Sequence, residues 1–133
     1  MAGYAYLDAS AIVKLVVAEP ETAALERDLA DRTALLSSRL SATEVLRAAR
    51  RGAHRRVLQQ AEDVLDSLVF LEITPAILRR AASFEQAELR TLDAIHLATA
   101  LSLDVADLDF LAYDERLARV ARAHGLGTAA PGA

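Results

Sequence analysis

A chain of 133 residues, 53% apolar and 26% charged, is sized for one domain with a core of its own. It has no cysteine, which excludes a disulfide framework and a thiolate metal site, and its formal charge of −4 argues against a general nucleic-acid binder with a broad basic surface. Asp8 and Lys14 interrupt the most apolar N-terminal stretch well short of the about 20 residues of a membrane span, and no basic region precedes it as in a signal peptide, so a soluble, cytoplasmic protein is expected.

Tyr4 to Leu7 reads as a strand, and Ser10 to Ala18 as a helix that Pro20 ends. Glu21 to Asp31 repeats Ala24, Leu25 and Leu29 at helical spacing and leads to a short strand near Ala34 to Ser37. Ser41 or Thr43 can cap a helix from about Ala42 to Arg51, with Gly52 placed to stop it. His54 to Leu68 carries Val57, Leu58, Ala61, Val64, Leu65 and Leu68 on one stripe. Val69 to Ile73 reads as a strand, with Thr74 as cap and Pro75 at the first position of the next helix. Asp93 to Leu103 is helical, Asp109 to Tyr113 is a strand, and Glu115 to His124 is a helix ended by Gly125. Residues 1–133 are read as a single domain, with Gly127 to Ala133 as a short or flexible tail. The alternation predicts an α/β fold of three layers, α/β/α, around a mainly parallel central sheet of four to five strands.

Four carboxylates stand where amphipathic patterning would not put them. Asp8 closes the first strand, Asp93 interrupts an apolar helix, Asp114 follows Phe110-Leu111-Ala112-Tyr113, and Glu44 lies one turn into a helix that follows another strand. An acid in apolar sequence is a helix cap, a buried paired group, or a ligand for a cation. Open parallel sheets bind ligands at the carboxyl ends of their strands, so all four can face one crevice. Taken singly, Asp93 and Asp114 read as N-caps; Asp8 does so less readily, because Ser10 could cap the first helix, and Glu44 could pair with Arg47. Ser10 either caps or hydrogen-bonds a metal-bound water or a phosphate, and His96 reads as a packed histidine supporting its helix.

Six arginines, Arg39, Arg47, Arg50, Arg51, Arg55 and Arg56, surround Glu44, whereas Glu62, Asp63, Asp66 and Glu72 follow with no base among them. The cluster is a solvated helix face or a phosphate-binding rim, and Arg39, Arg47 and Arg50 are the candidates for substrate contact.

Leu7-Asp8-Ala9-Ser10-Ala11, Ser41-Ala42-Thr43-Glu44-Val45, Arg90-Thr91-Leu92-Asp93-Ala94-Ile95-His96-Leu97-Ala98 and Tyr113-Asp114-Glu115-Arg116-Leu117 resemble, in order, the four motifs of PIN-domain nucleases. Within that family the chain is similar to the VapC toxins of bacterial toxin–antitoxin pairs. The resemblance implies a PIN-like fold, a metal-dependent endoribonuclease whose site is Asp8, Glu44, Asp93 and Asp114, and a position for Ser10 near the first acid. It also implies an RNA substrate, a VapB-like antitoxin that occludes the site, homodimers and no membrane. The chemistry agrees. Two like charges 4 Å apart repel by about 4 kcal/mol at an effective dielectric of 20, and oxygen ligands suit Mg²⁺ or Mn²⁺. Asp8 and Asp93 are expected as direct ligands, Asp114 directly or through water, and Glu44 as ligand or as orienter of the attacking water. Attack is then by water, not by the 2′-hydroxyl. The family often has Thr or Ser two residues before the last acid; this chain has Ala112. Two rivals are a noncatalytic module on the same fold and a phosphotransfer or phosphatase domain. The latter lacks a second aspartate after Asp8 and a late lysine, since Lys14 is the only lysine.

Overall fold

Side chains alternate across the central strand: Ala5 and Leu7 enter one apolar core and Tyr6 the other, so β1 (Tyr4–Leu7) is buried on both faces. The computed structural model describes residues 3–52 and 55–133. The helix start read at His54 lies outside the described residues. The elements run β1, α1 (Ala9–Val16), α2 (Thr22–Ala30), β2 (Ala34–Ser38), α3 (Arg39–Arg51), α4 (Arg55–Asp66), β3 (Val69–Leu71), α5 (Pro75–Ser83), α6 (Thr91–Leu101), β4 (Leu108–Leu111), α7 (Glu115–Ala123) and β5 (Gly127–Ala129).

The five strands are parallel in the order β3-β2-β1-β4-β5. From β1 the chain moves outward through β2 to β3, then returns to add β4 and β5 on the other side, so the order reverses at β1. The carboxyl ends of β1 and β4 flank that reversal, which is where open parallel sheets leave a crevice. Residues of α1 to α4 complete the core around Ala5, Leu7 and Leu111, and residues of α6 and α7 the core around Tyr6 and Phe110. Tyr6 and Phe110 stack with ring centroids 5.4 Å apart, which contributes about 0.5–1.5 kcal/mol beyond burial.

Several boundaries differ from the sequence reading. Helix α3 begins at Arg39, capped by Ser38 through the Leu40 N–H at 3.1 Å, not by Ser41 or Thr43. Ser41 is unavailable because it is buried and bonded to Ser37 Oγ at 2.7 Å, while the Ser37 hydroxyl donates to the Leu7 carbonyl. Thr74 caps α5 as read, accepting from the Ile77 N–H. Gly127–Ala129 is an edge strand paired with Asp109–Leu111 instead of a flexible tail. A Cβ at Gly127 would stand 2.5 Å from Asp109 Oδ1, so glycine admits this approach. Beyond the strand, the Tyr113 hydroxyl donates to the Pro131 carbonyl at 2.9 Å. The stripes of α2 and α4 are spent on the core, with Leu25, Leu29, Ala61 and Leu65 buried, and Leu68 just beyond α4 is buried too.

Candidate active site

Asp8 emerges from β1 into the first turn of α1. Extended backbone there lets its carboxylate cap the helix, the role that sequence reasoning assigned less readily to it than to Ser10. Oδ1 accepts from the Ala11 N–H at 2.9 Å and from the Ser10 hydroxyl at 2.7 Å, so Ser10 braces Asp8. Oδ2 accepts no hydrogen bond from a described residue, yet it is not sealed from solvent, although the residue is only 5% exposed. Burial raises the Asp8 carboxyl above the usual range; the Ala11 and Ser10 bonds and His96 oppose this, and nearby Asp93 adds to it.

Asp93 lies in the first turn of α6 but does not cap it. The N-cap is Arg90, whose side chain caps nothing, and the Asp93 carboxylate bonds to no other described residue. The ordinary reading of this acid therefore fails. Its carboxyl is raised, first by burial and then by repulsion from Asp114 and Glu44, against the attraction of His96 and Arg90. A negative charge in this turn does face the positive end of the helix dipole.

Asp114 is a true N-cap, accepting from the Arg116 N–H at 2.8 Å, with the Arg116 guanidinium 3.6 Å from Oδ2. Burial alone would raise it. Backbone N–H groups of Arg116 and Leu117 and the Arg116 guanidinium outweigh burial and hold it below the usual carboxylate range. Ala112 is buried in the core beside Tyr6 and Leu117, and Asp114 is held by the start of α7 without a hydroxyl from that position.

Glu44 does not pair with Arg47. Its Oε1 meets His96 Nε2 at 2.7 Å, and His96 Nδ1 meets the Tyr6 hydroxyl at 2.8 Å. Burial raises the Tyr6 phenol and keeps it protonated. This chain of bonds was missed in the sequence, where His96 stood only as a packed histidine. Its spacing from Asp93 was visible, but its partner lies on a helix 52 residues away.

The arginines divide. Arg39 is paired with Glu72 at 2.8 Å and lies over the Phe70 ring, whereas Arg47 and Arg50 are exposed on α3. Asp93 acts on Asp8, and Asp114 and Glu44 act on Asp93, but among the described residues no three His, Asp or Glu side chains stand close enough to enclose a cation as placed. The donor set itself suits a hard divalent cation: only oxygens, with Oδ2 of Asp8 and both oxygens of Asp93 unspent. No helix among the described residues is long and apolar enough to cross a membrane.

The PIN domain family model matches residues 5–123. Ribonuclease VapC46 of Mycobacterium tuberculosis is 42% identical over 132 residues, 95% of this chain and 96% of that protein. Among solved structures, M. tuberculosis VapC20, described as a sarcin-ricin loop cleaving toxin, superposes with a TM-score of 0.72 at 18% identity, covering 96% of this chain and 99% of its own. A toxin–antitoxin complex from Klebsiella pneumoniae gives a TM-score of 0.71 at 21% identity, covering 96% and 97%. With the motif order, the all-parallel sheet and full-length relatives in agreement, the chain belongs to the PIN-domain family and groups there with the VapC proteins.

Proposed function

We propose that this protein is a divalent-metal-dependent endoribonuclease acting as the toxin of a toxin–antitoxin pair. The observation that carries the reading is Asp93: a half-buried carboxylate in a crevice with three other acids, neither capping its helix nor bonded to any described residue. A structural acid would be satisfied within the chain. The ribonuclease names of relatives such as VapC46 support the activity, and the Klebsiella complex supports a VapB-like antitoxin as partner. Homodimers belong to the same reading.

Asp8 and Asp93 would hold Mg²⁺ or Mn²⁺, with Asp114 and Glu44 completing the acidic lining. When bound, such a cation supplies positive charge where the phosphate oxygens gain negative charge and makes water more acidic. The chain's own residues do the rest. Ser10 and the Ala11 N–H fix Asp8 with Oδ2 outward. Glu44 is anchored through Oε1, and its Oε2, which accepts no hydrogen bond from a described residue, can orient a water and take up its proton. Arg47 and Arg50 offer charge to the RNA backbone on the exposed side of α3.

The test is the chemistry of the RNA ends produced by purified protein with Mg²⁺ or Mn²⁺. Attack by water leaves simple phosphate and hydroxyl ends and is stopped by chelation. Ends carrying a 2′,3′-cyclic phosphate, or cleavage that persists in chelator, would overturn the mechanism.

A further inference from the structure

Glu44 belongs to the wrong layer for its neighbours. Helix α3 packs with α1 and α4 around Val45 and Ala49 on one face of the sheet, whereas Asp93 and His96 ride on α6 on the other. The Glu44 side chain crosses the carboxyl edge of the strands to reach His96, which is 1% exposed, and it remains part-exposed toward the crevice. Its charge is one of those acting on Asp93. Unanchored, a flexible glutamate on a separate layer would swing away from a second carboxylate.

We infer that His96, held by Tyr6, is a positioning residue that fixes the Glu44 carboxylate in the acidic crevice. An ionised carboxylate only accepts, so the proton of this contact is on Nε2. In the neutral ring Nδ1 then carries no proton and accepts a hydrogen bond from the Tyr6 hydroxyl. In the doubly protonated ring Nε2 still donates to Glu44, so the anchor holds in either charge state. Tyr6 is itself immobile: it is fully buried, stacked on Phe110, and meets the His96 ring edge-on with centroids 6.0 Å apart. A rigid core aromatic thus sets the orientation of the imidazole, which sets the carboxylate. The logic is that of partners which orient metal-site ligands from behind.

The inference rests on the metal-dependent reading, so its test separates the two. Mn²⁺ binding to the purified full chain is measured by calorimetry, alongside kcat and KM on RNA, for His96→Leu, His96→Gln, Tyr6→Phe and Glu44→Gln. The His96 Nε2–H resonance is followed in metal-free protein. The expected result is about 10- to 100-fold weaker Mn²⁺ binding in His96→Leu, a smaller loss in Tyr6→Phe, and recovery in His96→Gln, whose amide can donate to Glu44. Loss should fall on kcat more than on KM. The Nε2–H signal should shift in Glu44→Gln, and His96→Leu added to Glu44→Gln should cost nothing further. Equal losses in both backgrounds, or unchanged Mn²⁺ affinity in folded His96→Leu or Tyr6→Phe, would overturn the inference. If wild type binds Mn²⁺ with this pattern but cleaves no RNA, the ribonuclease reading falls and the positioning role stands.

Discussion

At the amino ends of the strands, the Arg32 side chain is 5% exposed and holds Asp28 at 3.0 Å and Asp109 at 2.7 Å. Burial by itself would lower the Arg32 guanidinium, yet its two carboxylate partners raise it, so the cation is secure. At the carboxyl ends, Asp8, Glu44, Asp93 and Asp114 gather in one region; Asp8 is raised partly by Asp93, and Asp93 partly by Asp114 and Glu44. One pole of the sheet neutralises its charges internally, and the other leaves them partly uncompensated. Acids at the first pole serve stability. At the second, Asp8 and Asp93 oppose it, the pattern that the proposed metal site calls for, whereas Asp114 is stabilised by the start of its helix.

The contrast is broken most directly at Asp93. Asp93→Asn is expected to lower RNA cleavage by at least about 100-fold while the protein stays folded, because among the described residues no hydrogen bond depends on this side chain. Undiminished divalent-dependent cleavage would remove the site from this crevice. Arg32→Ala should do the reverse: two carboxylates lose their shared partner, and stability in urea should fall by about 2 kcal/mol, discounted for the partial exposure of both acids, with the specific activity of the folded fraction retained.

Asp8→Asn sharpens the comparison further. Asparagine can keep the cap to Ala11 while removing a buried charge, so the metal-free melting temperature should rise. The stabilisation by Mn²⁺, about 2.7 kcal/mol for wild type at one hundred times Kd, should vanish. A fall in metal-free stability would mean that the charge at Asp8 is satisfied within the chain. The smallest effect is expected at the rim. Arg47→Ala with Arg50→Ala should weaken RNA binding uniformly and reduce its salt slope by about 0.7 for each phosphate no longer neutralised. An unchanged slope would leave those arginines as a solvated helix face.

Much of this was legible in the sequence because it depends on local rules. Strand and helix alternation, Pro75 after Thr74, and Gly52 after α3 follow from period and capping chemistry, and every strand but the last falls near an apolar run. Gly127–Ala129 carries no apolar run of its own; it becomes a strand only because β4 offers an edge to pair with. The four acids were identifiable by position, but the tasks of Asp8 and Asp93 within their helices were inverted. Local patterning ranks both as caps, and only the backbone at Asp8 and Arg90 shows which residue occupies the cap. The bond from Glu44 to His96 could not be read at all, since it depends on two helices from opposite layers meeting over the sheet edge.

The placement of β1 has a consequence in time. It is made before the other four strands of the sheet, and one of its two neighbours, β4, begins at Leu108. Until Leu108–Leu111 has emerged, the central strand has one open edge, Asp114 is absent, and the second core lacks Phe110 and Leu117. At about 5–20 residues per second, the interval between Leu7 and Asp114 lasts on the order of ten seconds. A nascent or prematurely terminated chain that stops short of Asp114 therefore carries an incomplete acid set, and the activity proposed for the crevice can begin only after both sides of the central strand have been made.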